Sequence, residues 1–253
     1  MTPGSGWTAD SGTPVPERVR QRYARVAGFT FLLYIAVALA ESMLFDSAVG
    51  SGIASAKLAH AQANALMLRT AAVLSLIAVL CALVLGVALF AVTRDYDFHL
   101  ALFGLVGRLA EGVMGIVYAL PALGFICAVQ ATNGGEPGAE AEIVVAMLLA
   151  VRHDAVIFSA TCFAAGSAAF SFLLLWGRAI PNALGLLGLL ASAGLLIALP
   201  IQLAVDARGP ATLLIWLPML AFELVLAVWL LVRGVEPVAA RVGTPAAGAG
   251  APG

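Results

Sequence analysis

Apolar residues occur along this chain in six long runs that short polar segments separate. The runs cover about residues 26–46, 66–92, 98–129, 155–177, 182–204 and 211–233. Each run is close to the roughly 20 residues that a helix needs to cross a bilayer. The pattern predicts an all-α polytopic membrane bundle of six transmembrane helices.

The segments between the runs carry turn and helix signals. Residues 47–65 are rich in alanine and fit either a short helix at the membrane surface or an extended linker. Glycine and proline cluster at 133–138 and indicate a break in the chain, after which residues 140–151 could form a helical lead-in to the fourth span. The short segment 178–181 makes spans four and five antiparallel neighbours, and Pro181 suits the first turn of span five.

Composition supports the membrane assignment. Hydrophobic residues make up 62% of the 253 positions and charged residues 11%, whereas soluble domains carry about 25% charged residues. The net charge of −1 gives no reason to expect nucleic acid as a partner, so membrane lipids are the expected surroundings. The three cysteines lie in three different runs without a metal-binding spacing, and no cofactor is expected.

Both ends of the chain differ in composition from the spans. Residues 1–17 are rich in Gly, Pro, Ser and Thr, and residues 235–253 in Ala, Gly and Pro. Segments of this kind cannot bury enough apolar surface to order themselves. We therefore expect a transmembrane domain at 18–234 between two disordered ends.

Basic residues are unevenly distributed between the two ends of the spans. If the termini are on the inner side, eight basic residues lie in inner segments and three in outer ones. The inner residues are Arg18, Arg20, Arg22, Arg25, Arg94, Arg178, Arg233 and Arg241, and the outer ones are Lys57, Arg152 and Arg208. Because inner loops of membrane proteins are enriched in lysine and arginine, we expect both termini to be cytoplasmic.

The first run has a second interpretation, as a signal peptide. An arginine-rich start, an apolar stretch and the small residues of 38–40 resemble such a peptide with its cleavage site. The apolar run nevertheless continues to Phe45, and Glu41 lies on one helical line with Thr30 and Tyr34. That line is typical of a helix facing a bundle, which favours a retained first span.

The third run carries two charges where a spanning helix is deepest in the membrane. Gly104, Arg108, Glu111, Gly115 and Tyr118 fall on one helical face. A charge at the bilayer centre costs at least roughly 2.5–3.5 kcal/mol on insertion scales. Such residues therefore need a partner or a wet cavity.

A third intramembrane charge, Glu223, falls at a similar depth in the sixth run. Arg108 could pair with Glu111 on its own helix, with Glu223 across the bundle, or with both. The resulting cluster either fixes helix packing or binds a polar solute, a proton or a lipid headgroup.

A second polar group lies nearer the outer side. Glu41 and Arg69 are at matching depths, about 22 Å along the first span and about 5 Å below the outer end of the second. We expect a Glu41–Arg69 ion pair; the alternative is that Arg69 extends to the outer headgroups and Glu41 lies near the surface.

Two histidines and an aspartate lie at the outer face. His60, His153 and Asp154 could bind zinc together. They show no compact metal-binding motif, so no metal site is expected. Nucleophile-elbow, phosphate-loop and dinucleotide-binding patterns are also lacking in the sequence.

Several short motifs resemble a known family by their order and spacing. They are Arg22–Leu33, His60 with Leu68-Arg69, Phe103 with Gly107-Arg108-Leu109, and Ile180-Pro181 with Leu184-Gly185-Leu186-Leu187. Together they resemble the bacterial integral-membrane family catalogued as domain of unknown function 4386, over about residues 18–232. The resemblance implies a six-span helical protein of the plasma membrane, and it supplies no activity, substrate or cofactor. One departure is Asn182, where the family has a basic residue.

Three classes of function fit these observations. The first is a structural or accessory membrane protein, because the intramembrane carboxylates and arginines nearly balance. The second is a carrier of a small polar solute or of protons, with its site at Arg108, Glu111 and Glu223. The third is a membrane-embedded enzyme with a site formed by the outer-face residues named above together with Glu41 and Arg69.

Overall fold

The computed structural model describes residues 14–131, 139–205 and 210–236. Its helices are α1 (Glu17–Val49), α2 (Ala54–Ala63), α3 (Ala65–Thr93), α4 (Phe98–Ala131), α5 (Ala139–Trp176), α6 (Asn182–Ala204) and α7 (Leu217–Val232), with a 3₁₀ segment at Pro210–Trp216. Within these ranges there is no strand, and six helices are long and apolar enough to cross a membrane. The predicted all-α bundle of six spans is confirmed.

Two of the segments between the spans form helix. Residues 54–63 form α2, whose Leu58 and Ala61 side chains are buried, so this segment is not an extended linker. The predicted helical lead-in and the fourth span form one continuous helix, α5, which is 38 residues long. The predicted break at 133–138 lies outside the described residues.

The six spanning helices form a closed ring. Going round it, the order is α1, α3, α4, α5, α6 and α7, and each helix packs against the next. The ring closes where α7 packs on α1. The start of α1 and the end of α7 lie on one face, here called the terminal face. On the opposite face, here called the α2 face, the short α2 lies against α1, α3, α4 and α5.

Glycines set the closest contacts in the ring. A Cβ atom on Gly107 of α4 would lie 2.9 Å from the Cα of Gly166 of α5, and one on Gly166 would lie 2.9 Å from the Gly104 carbonyl oxygen. A Cβ on Gly28 of α1 would lie 2.7 Å from the carbonyl oxygen of Ala227 of α7. Small residues permit such approaches between membrane helices. Gly104 and Gly107 of α4 therefore serve close packing against α5.

The turn between α5 and α6 is short and strongly hydrogen bonded. Arg178 has a φ of 45°, and the Ala179 amide donates to the Leu174 carbonyl over 2.9 Å. This is the pattern of a left-handed helix end in which the last carbonyls find partners. Pro181 directly precedes α6, and the two helices are antiparallel neighbours as predicted.

Arg20 is completely buried at the terminal face. Its Nη1 donates to the Tyr96 hydroxyl over 3.0 Å, its Nη2 donates to the Glu236 carbonyl, and its Nε lies 3.5 Å from a Glu17 carboxylate oxygen. The Glu236 amide in turn donates to the Ala179 carbonyl over 3.0 Å. This group of contacts, here called the terminal clasp, joins the start of α1 to the segment that follows α7.

The terminal clasp refines two of the predictions. The four arginines before the first span are not equivalent, since Arg18, Arg22 and Arg25 are exposed while Arg20 is buried. The packed bundle also extends past the predicted boundary at 234, because Val235 is 3% exposed and Glu236 is hydrogen bonded. Most of the predicted disordered ends, residues 1–13 and 237–253, lies outside the described residues.

The apolar core has two parts. The larger part joins α1, α3, α5, α6 and α7, and the smaller part lies beneath α2 around Phe45, Leu68 and Phe125. Buried polar side chains occupy the interior between these parts. They form the candidate site.

Candidate intramembrane binding site

The predicted pair on α4 forms the centre of the site. Arg108 Nη1 lies 2.8 Å from Glu111 Oε2, and both side chains are buried. Tyr34 of α1 donates its hydroxyl to Glu111 Oε1 over 2.7 Å. The Ser159 hydroxyl of α5 donates to the Glu111 backbone carbonyl over 3.1 Å. Three helices thus meet at Glu111.

Arg108 is held among aromatic rings. Its guanidinium carbon lies 5.0 Å from the centre of the Phe163 ring and 5.8 Å from the centres of the Phe31 and Tyr34 rings. Such contacts stabilise a cation away from water. Its Nε and Nη2 are nevertheless buried without a hydrogen-bond partner. Only one of the three guanidinium nitrogens is therefore satisfied.

Glu223 of α7 faces the same interior without a direct pair. It is 7% exposed, and its Oε1 is buried with no hydrogen-bond partner. Among the described residues, no ion pair joins Arg108 and Glu223. Of the alternative pairings considered for Arg108, the described residues therefore contain the one with Glu111 and not the one with Glu223. The reason is topological, because α4 and α7 are separated by two helices in the ring. Tyr34, Arg108, Glu111, Ser159 and Glu223 are here called the central cluster.

A second cluster lies closer to the α2 face. Glu41 Oε1 of α1 is 2.9 Å from Arg152 Nη2 of α5, and Glu41 Oε2 accepts the Tyr118 hydroxyl of α4 over 2.8 Å. The Arg152 guanidinium carbon lies 3.6 Å from the centre of the Phe45 ring and 3.9 Å from that of Tyr118. Arg152 also donates to the Tyr118 hydroxyl. Glu41, Tyr118 and Arg152 are here called the Glu41 cluster.

The Glu41 cluster corrects the predicted Glu41–Arg69 pair. Glu41 pairs with Arg152, while Arg69 is exposed, as in the alternative in which it extends towards the headgroups. Sequence reasoning counted Arg152 as a loop residue, because it placed the start of span four at 155. Since α5 begins at Ala139, Arg152 lies inside the helix and points into the bundle. Its spacing of seven residues from Ser159 was a usable signal, since both fall on one helical face.

Two cavities adjoin the clusters. A cavity of about 160 Å³ runs between them and is lined by Glu41, Tyr118 and Ser75 as well as Glu111. A larger cavity of about 320 Å³ extends towards α7 and is lined by Glu223 as well as Glu111. The two share the wall residues Tyr34, Ala38, Glu111, Val156 and Ser159. The two cavities therefore adjoin each other, and carboxylates of both clusters line them.

The larger cavity is lined from both α1 and α7. Leu39 of α1, Trp216 of the 3₁₀ segment and Met219 of α7 contribute to its wall. Leu39 is 53% exposed, so this wall reaches the surface of the bundle.

The predicted outer-face residues do not form a metal centre. His60 is exposed on α2, while His153 and Asp154 are partly buried on α5. Within the parts of the chain that the structure describes, no group of three or more His, Cys, Asp or Glu side chains could hold a metal ion. These three residues therefore offer no constellation for metal-assisted catalysis.

The fold and the interior define the class of protein as a multi-pass membrane protein with a hollow, charged interior. The family comparison is more specific. The chain belongs to the family described as domain of unknown function (DUF4386), whose match covers residues 26–234. The resemblance carried by the sequence motifs is confirmed. Neither the curated proteins nor the solved structures contain a significant match to the chain.

Proposed function

We propose that this protein is a proton-linked carrier of a small solute, with the central cluster as its binding site. The observation that carries the proposal is the incomplete pairing of this cluster. Glu223 Oε1, Arg108 Nε and Arg108 Nη2 are buried without partners, and Glu223 and Glu111 line a cavity. A ligand or water entering the cavity would supply partners to the carboxylates.

The incomplete pairing argues against a purely structural role. A buried polar network that only fixes packing is expected to satisfy all its members, because an unpaired buried group costs about 1–3 kcal/mol. The Glu41 cluster meets this expectation, since both oxygens of Glu41 accept hydrogen bonds. The central cluster does not meet it. Local violations of this kind are expected at functional sites.

The two ends of the interior supply the gates that a carrier needs. At the α2 face, the Glu41–Arg152 pair crosses the interior from α1 to the opposite helix of the ring, and α2 lies above it. At the terminal face, the Arg20 contacts join α1 to the segment that follows α7 and to Tyr96. In the proposed cycle, one gate opens while the other stays closed.

The direction of the cycle follows from the distribution of basic residues. Arg18, Arg22 and Arg25 are exposed at the terminal face, and exposed arginines favour the cytoplasmic side of a membrane. We therefore propose that both termini are cytoplasmic, that the membrane is the plasma membrane, and that the α2 face points outward.

The test uses the full-length protein in liposomes that enclose a pH-sensitive fluorescent dye. Small organic cations, anions and neutral polar compounds are added outside, and the internal pH is recorded against protein-free liposomes. We expect one class of compound to cause a protein-dependent pH change that Glu223→Gln abolishes. Glu140→Gln is the matched control, because Glu140 is an exposed carboxylate at the start of α5.

The opposite result is equally specific. If no class of compound moves protons beyond the protein-free level and Glu223→Gln lowers the melting temperature, Glu223 serves packing. The central cluster would then be structural, and the carrier proposal would be wrong.

A further inference from the structure

We infer that the solute is a monovalent amphipathic organic cation, bound in the larger cavity with its ammonium group against Glu223. The inference rests on the proposed function in that it uses the same site. It adds the chemical class of the ligand, which four features of the cavity determine.

The first feature is the excess of negative charge. Arg108 is the single cation of the central cluster, and Glu111 and Glu223 are its two carboxylates. With all three ionised, one negative charge is left uncompensated. Because an isolated charge is expensive in the bilayer core, a monovalent cation or a proton is the complement that this site lacks.

The second feature is the sign of the charged residues that line the cavity. Both carboxylates, Glu111 and Glu223, line the larger cavity, whereas Arg108 is among the lining residues of neither cavity. A carboxylate oxygen accepts hydrogen bonds and cannot donate them. The carboxylates that line the cavity therefore select a ligand that donates hydrogen bonds, and an anion entering the cavity would meet like charge.

The third feature is the aromatic wall. Tyr34, Phe163 and Trp216 line the larger cavity from α1, α5 and the 3₁₀ segment. Aromatic faces attract organic ammonium groups, most strongly where the contact excludes water. A small inorganic cation is disfavoured here, since ions such as Ca²⁺ take roughly six to eight oxygen ligands.

The fourth feature is the apolar remainder of the cavity. Ile35, Leu39, Met219 and Leu220 line its sides, and its volume of about 320 Å³ suits a small organic molecule. An amphipathic ligand fits this arrangement, because its apolar body contacts the aliphatic wall while its ammonium group reaches Glu223.

The test compares three probes of similar size on the purified full-length protein: phenethylammonium, 3-phenylpropionate and 2-phenylethanol. Binding is measured by isothermal titration, and the melting temperature is followed with each probe. We expect phenethylammonium to bind and to raise the melting temperature, and the anion and the alcohol to bind at least about tenfold more weakly, which corresponds to about 1.4 kcal/mol.

Two variants and their matched controls locate the binding. Glu223→Gln should weaken phenethylammonium binding at least about tenfold, and Trp216→Leu should weaken it severalfold. Glu140→Gln and Trp176→Leu, which change exposed residues outside the cavity, should leave it unchanged. If Glu223→Gln fails to fold, Trp216→Leu still reports on the cavity.

Each result has a defined meaning. Preferential binding of 3-phenylpropionate, no binding of phenethylammonium, or binding that neither variant weakens overturns the cation inference. If the liposome assay still shows solute-linked proton movement in that case, the carrier proposal stands and only the cation inference fails. If phenethylammonium binds through Glu223 but no solute moves protons, the cation site stands and the carrier proposal fails.

Discussion

Removing each of the two carboxylates of the central cluster should change the free energy of unfolding in opposite directions. Glu111 is fully paired by Arg108 and Tyr34, whereas Glu223 leaves Oε1 unsatisfied. The perturbation is the same in both cases, replacement by leucine. We expect Glu223→Leu to stabilise the bundle and Glu111→Leu to destabilise it.

The magnitudes follow from the hydrogen bonds. Glu223→Leu removes an unsatisfied buried oxygen, which is worth about 1–3 kcal/mol. Glu111→Leu removes the ion-pair partner of Arg108, whose Nε and Nη2 already have no partner, and leaves the Tyr34 hydroxyl without its acceptor. Breaking a buried pair from one side costs about 3–5 kcal/mol. Polar contacts within membranes are often weaker, about 0.6 kcal/mol on average, so the lower ends of these ranges are expected.

The assay is thermal unfolding of each variant in the same detergent, followed by chemical denaturation for the free energy of unfolding. Glu140→Leu is the control for the loss of an exposed carboxylate. The reasoning is refuted if Glu223→Leu lowers the free energy of unfolding, because Glu223 would then contribute to packing through Arg108. Equal effects at Glu111 and Glu223 would refute it as well.

Three further predictions concern the rest of the bundle. Arg152→Met should destabilise by about 3–5 kcal/mol because it leaves Glu41 buried without its ion-pair partner, while Arg69→Met should change stability by no more than about 0.5 kcal/mol; denaturant unfolding distinguishes the two. Gly166→Ala should cost about 1–3 kcal/mol by separating α4 from α5, whereas Gly194→Ala, with no atom within 4 Å, should be neutral or stabilising. Arg20→Met should clearly lower the melting temperature, whereas Arg18→Met and Arg22→Met, which change exposed residues, should not.

Much of the fold and part of the site could be predicted from the sequence. The spans were recognisable because a bilayer fixes their length and polarity. The Arg108–Glu111 pair was accessible because helical geometry alone places residues three apart on one face. In both cases the information is local to one segment of the chain.

The ion-pair partner of Glu41 could not be predicted from the sequence in the same way. Depth along a helix restricts which residues lie at one level, and both Arg69 and Arg152 met that condition. The choice between them depends on the order of helices in the ring, which places α5 across from α1. Arg20 was missed for a similar reason, because its hydrogen-bond partner Glu236 lies 216 residues further along the chain.

The closure of the ring by α1 and α7 has a consequence for biosynthesis. Helices enter the membrane in chain order, and the first helix meets its last neighbour only after α7 has been made. Until then, the flank of α1 that packs at Gly28 faces lipid, and the Glu111 side of the interior has no seventh helix beside it. A nascent chain arrested before residue 217 would therefore expose charged groups to the bilayer. Closure of the ring by α7 therefore shields the charged interior from lipid.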